Sequence, residues 1–193
     1  ADPAKRDVAV LAFERASSTV AAGSLPTSSV SVPFKLLSSV ADVTAGSAEL
    51  ISRTIGDVGY PHSSVADLEP RLSKAMTWTS EFVPEDERTT VRTAPDTDRL
   101  AALTEDETLW LAQLLDRLPD TFDLESLTAL IYGVPKLARG MGLDDPPTDQ
   151  VKADQKQFFG LLYHLLVAAP RGPRLPTLFV ALGPARVRTL LGG

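Results

Sequence analysis

Thr104-Glu105-Asp106-Glu107-Thr108-Leu109-Trp110-Leu111-Ala112-Gln113-Leu114-Leu115-Asp116-Arg117-Leu118 decides the fold class. Leu103, Trp110, Leu111, Leu114, Leu115 and Leu118 recur at steps of three and four, which puts them on one face of an α-helix. Thr104 and Glu107 stand in capping-box register: the threonine oxygen accepts from an orphan backbone N–H and the glutamate reaches back. Pro119, with no N–H to donate, ends the segment.

Working outward, the helical period continues. A second helix begins near Asp123 and carries Leu127, Leu130, Ile131 and Val134 on one face, with Pro135 inside the pattern predicting a kink and Gly140 and Gly142 as stops. Asp144-Asp145-Pro146-Pro147 reads as a loop. Residues 148–169 then read as a long helix whose buried stripe is Phe158, Leu161, Leu162, Leu165 and Leu166. Pro170-Arg171-Gly172-Pro173-Arg174 is a tight connection, and Pro176 and Pro184 fit the first turns of two short final helices with Gly183 between them.

The first half is patterned more weakly in the same way. Segments 5–22, 33–44, 47–55 and 71–82 read as helices, 24–32 reads as a loop that is briefly extended at Val30-Ser31-Val32, and Pro84-Glu85-Asp86-Glu87 starts another turn. Strict alternation is essentially absent. The expectation is an all-α chain, a helical bundle in two halves, with 91–98 and its Pro95 as the connection; residues 1–95 form the first helical subdomain and 96–193 the second.

Composition excludes several functions. The 193 residues contain no cysteine, which removes disulfides, thiolate metal sites and cysteine nucleophiles together. No apolar run approaches the roughly 20 residues of a membrane span, and the first residues lack a signal-peptide pattern, so the expectation is a soluble, cytoplasmic protein without a membrane partner. The chain opens on Ala1-Asp2-Pro3, as a fragment or a processed form does. The net charge of −6 is unevenly spread: residues 1–150 hold 13 Lys/Arg against 24 Asp/Glu, whereas 151–193 hold six Lys/Arg against Asp154 alone. An acidic body with a basic end points either to an anionic partner docking at one place or to a solvated tail.

Catalytic constellations are poor. His62 and His164 are the only histidines, no HxxxH or HExxH spacing exists, and no metal site is expected. There is no Gly-x-Ser-x-Gly elbow, no Walker loop and no Gly-x-Gly-x-x-Gly; a Ser-His-Asp triad of distant residues stays open as a hydrolase reading. Trp110 falls among leucines and reads as core. Trp78 lies among Thr77, Thr79, Ser80 and Glu81; burial is the favoured reading, stacking on an unpaired base the other.

The most informative stretch is Lys156-Gln157-Phe158-Phe159-Gly160-Leu161-Leu162-Tyr163 followed by Arg171-Gly172-Pro173-Arg174-Leu175. Guanidinium groups between rigid turn residues and beside helix N-termini can hold phosphates, or can cap carbonyls and pair with the acidic body. The candidate RNA-contacting residues are Lys156, Phe159, Arg171, Arg174, Arg186, Arg188 and Trp78.

Phe158-Phe159, Leu161-Leu162-Tyr163 and Arg171-Gly172-Pro173-Arg174-Leu175, with Phe179-Val180-Ala181-Leu182 and Val187-Arg188-Thr189-Leu190-Leu191, resemble the end of a class I lysyl-tRNA synthetase. Val32-Pro33-Phe34-Lys35-Leu36-Leu37 resembles the helix start after that family's catalytic core, and Trp78, Phe82-Val83-Pro84-Glu85 and Glu87 resemble its W-x-x-x-(Y/F)-(A/V)-PE segment. Glutamyl-tRNA synthetases share a related end. No HIGH-like sequence is present, and Arg71-Leu72-Ser73-Lys74-Ala75 echoes a KMSKS loop while heading an amphipathic helix. The Val167-Ala168-Ala169-Pro170-Arg171 connection departs from the glycine and lysine common there.

The resemblance implies an α-helix cage that holds the anticodon stem-loop of tRNA(Lys), itself inactive, joined to a catalytic domain outside this chain that uses ATP to make lysyl-tRNA. No cofactor or metal is expected in the chain. The competing readings are a stand-alone helical interaction module on a synthetase scaffold, the equivalent glutamyl region, and the hydrolase.

Overall fold

A computed structural model describes residues 30–85 and 88–193. The expected helix over 5–22 and its Gly23 stop lie outside these, as do Asp86 and Glu87 of the expected 84–87 turn. Among the described residues there are nine α-helices and no strand. They are α1 (Phe34–Val43), α2 (Ala48–Asp57), α3 (Arg71–Phe82), α4 (Thr97–Ala101), α5 (Glu105–Arg117), α6 (Leu124–Ala138), α7 (Asp149–Val167), α8 (Leu175–Leu182) and α9 (Pro184–Leu190), with a 3-10 turn at Val65–Leu68.

Local chemistry sets the boundaries. The Thr104 hydroxyl accepts from Glu107 N–H at 3.2 Å while the Glu107 carboxylate accepts from Thr104 N–H at 2.9 Å, so the capping box that opens α5 is complete. Ser47, Asp123 and Thr148 cap α2, α6 and α7 in the same manner, each accepting from the backbone N–H three residues on. Pro135 does not end α6, which runs on to Ala138. A Cβ at Gly133 in that helix would stand 2.1 Å from Leu143 Cδ2, so a larger residue there would displace that exposed leucine side chain.

Two apolar clusters hold the helices. The larger joins Trp110, Leu114, Leu127, Ile131, Phe158, Leu162, Leu165, Phe179 and Leu190, and Val58 at the end of α2 packs into it. The smaller gathers Val32, Leu37, Val40, Ile51, Ile55, Leu68, Leu72 and Ala75, where α1 meets α2 and α3. Leu36 and Tyr60 lie against both. Arg53 adds a hydrogen bond from α2 to Ala181 O of α8.

Both tryptophans were open to burial, and they part company. Trp110 is 2% exposed and meets Phe158 edge-on. Trp78 is 49% exposed, which corrects the expectation of burial. α3 buries Leu72, Ala75 and Thr79, leaving 78 on the outward face, where the indole stacks on Phe82 and meets the edge of Phe34.

Candidate nucleic-acid interface

The site is built on α7. Lys156, Phe159 and Tyr163 follow at steps of three and four and therefore share a face. Tyr132 comes across from α6, its ring edge-on to Phe159 with centroids 4.9 Å apart. The Tyr163 hydroxyl donates to Pro173 O at 2.7 Å, and burial raises its pKa, so the phenol keeps the proton it donates. Gly172 lies on the same ring: a Cβ there would come within 3.2 and 3.3 Å of Tyr163 ring carbons. The 170–174 turn is thus seated on Tyr163, and it ends at Arg174, the residue before α8.

Thr128, Tyr132, Phe159, Tyr163, Arg174 and Thr177 line a cleft of about 450 Å³. Aromatic rings of this kind can offer stacking surface, and a guanidinium can take a phosphate.

The structure divides the expected cationic residues. Arg171 and Arg174 are exposed, as is Lys156 one turn before Phe159. None of these three side chains makes a hydrogen bond or ion pair with another described residue. Arg186 and Arg188 turn inward to carbonyls. Arg186 donates to Arg92 O; Arg188 donates to Leu118 O and, at 3.1 Å, to Leu115 O, with the Asp120 carboxylate 3.6 Å away. They tie α9 to the end of α5 and to the segment before α4. Phe159 and Arg174 therefore meet in the cleft, Lys156 and Arg171 flank it in sequence, and Arg186, Arg188 and Trp78 do not line it.

Sequence reading did not single out Tyr132, Tyr163 or Arg92 as site residues. Tyr163 at a three-and-four spacing with Lys156 and Phe159 was the available signal; Tyr132 and Arg92 reach their partners only through tertiary packing. The histidines have local partners. His62 lies between Ser52 Oγ and Tyr60 O, 2.8 Å from each, and His164 Nε2 is 3.4 Å from Asp96. Among the described residues no group of three or more His, Asp or Glu could hold a metal ion, and no helix is long and apolar enough to cross a membrane.

A lysine–tRNA ligase of Streptomyces coelicolor is 45% identical to the chain over 177 residues, 89% of this chain and 30% of that protein. The chain is homologous to a region of lysine–tRNA ligases. A second lysine–tRNA ligase, from Methanopyrus kandleri, is 32% identical over 126 residues, 65% of this chain and 20% of that protein. The chain thus spans less than a third of the length of the curated ligases it matches. No family model matches it.

Proposed function

We propose that this chain is the helical anticodon-binding region of a class I lysine–tRNA ligase and that its ligand is the anticodon stem-loop of tRNA(Lys). The observation that carries the reading is the cleft in which Tyr132, Phe159 and Tyr163 stand beside Arg174. Unstacked bases of an RNA loop are held by stacking on aromatic faces, while cations take the phosphates. Lys156 and Arg171 add exposed cations beside these residues in sequence. Homology to lysine–tRNA ligases is what makes tRNA the RNA, and both relatives are named for lysine.

On this reading the labour is divided between two parts of the ligase. This chain holds and orients the RNA; ATP-driven formation of lysyl-adenylate and transfer to the tRNA end belong to a catalytic domain of the longer protein. A cytoplasmic location goes with that role. Net negative charge away from the cleft discourages indiscriminate RNA binding.

Fluorescence anisotropy with a labelled tRNA(Lys) anticodon stem-loop, at about 50 and about 200 mM salt, tests the reading. Binding weakens with salt; Arg174→Ala lowers the slope of log K against log salt by about 1. Phe159→Ala costs about 1–3 kcal/mol of binding. Absence of binding at the lower salt overturns the reading and favours a protein-interaction module, for which the exposed Phe34, Trp78 and Phe82 are the supporting observation.

A further inference from the structure

Arg92 lies in the segment between α3 and α4, outside every helix and outside the cleft, and yet four interactions converge on it. Its backbone N–H donates to Leu166 O at 2.8 Å, and its Nε donates to His164 O at 2.9 Å. Its Nη2 is 2.8 Å from the Asp96 carboxylate, and its own carbonyl accepts from Arg186 of α9.

The need for these bonds is set by the end of α7. The last carbonyls of an α-helix have no intrahelical donor. For Leu166 O, the N–H four residues on would belong to Pro170, which has none. Arg92 N–H supplies it. His164 O already accepts from Ala168 N–H and takes Arg92 Nε as a second donor. Ala168, the residue that turns the chain out of α7, has φ 53°, the left-handed conformation that a Cβ disfavours. The helix therefore stops at a strained alanine held from outside. Asp96 also caps α4 through Arg99 N–H, and His164 Nε2 stands 3.4 Å from its carboxylate.

We infer that Arg92 is a positioning residue for the RNA-facing turn, which rests on the RNA reading above. The turn has two anchors: Tyr163 holds Pro173 at its far end, and Arg92 holds the last carbonyls of α7 at its near end. Between them stand Arg171 and the backbone that delivers Arg174. Arg92 fixes the residue at which α7 ends, and with it the placement of the turn that carries Arg171 and delivers Arg174 to the cleft with Phe159 and Tyr163. Arg92 touches no RNA in this arrangement.

The test compares the 193-residue chain with its Arg92→Ala and Arg92→Lys variants by amide hydrogen exchange and by affinity for the tRNA(Lys) anticodon stem-loop. In Arg92→Ala, the amides of residue 92 and of Ala168, which donate to Leu166 O and His164 O, exchange about tenfold faster while those in the middle of α7 and α8 are unchanged. Stem-loop affinity falls about tenfold, the equivalent of one lost charge-assisted contact. Arg92→Lys recovers part of both, because an ammonium reaches one carbonyl but cannot fork to Asp96. Uniformly faster exchange would make Arg92 a general stabiliser, and unchanged exchange at residue 92 and Ala168 or undiminished affinity would also overturn the inference. If the unmodified chain binds no stem-loop, the RNA reading fails by itself, and the exchange pattern still decides whether Arg92 holds the turn.

Discussion

Arg139, which follows α6, and Asp154 of α7 form a two-point pair: Nε donates to one carboxylate oxygen and Nη2, at 3.0 Å, to the other. Gln150 adds a third donor at 3.0 Å, and the aspartate is 3% exposed. The hydrogen bonds from Arg139 hold the Asp154 pKa below its ordinary 3.8 against the opposing pull of burial. A pKa lower in the folded than in the unfolded chain gives stability that is full above 3.8 and is lost as pH falls below it through the folded value. Melting temperature is therefore expected to fall on acidification through that window, and less steeply in Asp154→Asn. Part of the fall survives, because Asp96, Glu107 and Asp123 are depressed as well. At neutral pH, Asp154→Ala costs about 2 kcal/mol by denaturant titration.

Arg188 and Arg174 carry the same charge and are expected to respond oppositely. Arg188→Ala strips donors from Leu115 O and Leu118 O and destabilises the fold by about 1–2 kcal/mol in a urea melt. Arg174→Ala leaves the unfolding free energy from a urea melt within about 0.5 kcal/mol of the unmodified chain, as exposed substitutions do.

Ala168 takes a left-handed conformation at the end of α7. Glycine pays no Cβ penalty there, so Ala168→Gly is expected to stabilise the chain by about 0.5–1 kcal/mol, although glycine gives up more freedom on folding. A thermal melt that moved down would mean that the α7 terminus is not built as described.

The two tryptophans separate core from surface. Trp110→Ala empties a fully packed site and costs about 3–5 kcal/mol. Trp78→Ala loses one stacked pair on the outside of α3 and costs about 1 kcal/mol. Denaturant titration of both variants checks the contrast.

What was legible in the sequence was local. Thr104 and Glu107 announced a helix start because both partners of the capping box lie within one turn. Pro176 and Pro184 announced two short helices because a proline is suited to a first turn and to little else in a helix. Trp78 misled because its flanking residues do not tell which face of α3 is covered; that depends on where α1 lies. Arg186 and Arg188 counted as free cations in the sequence, whereas their carbonyl partners lie 94, 73 and 70 residues away, a distance no spacing rule spans. The cleft was half legible: Phe159 and Arg174 stood out, and Tyr132, brought over from another helix, did not.

Leu36 and Tyr60 touch both apolar clusters, and this ties the two assemblies into one thermodynamic unit. Opening either would strip cover from residues that the other also needs, so intermediate states with one half melted are penalised twice. Heat is accordingly expected to unfold the two together, with calorimetric and van't Hoff enthalpies in agreement.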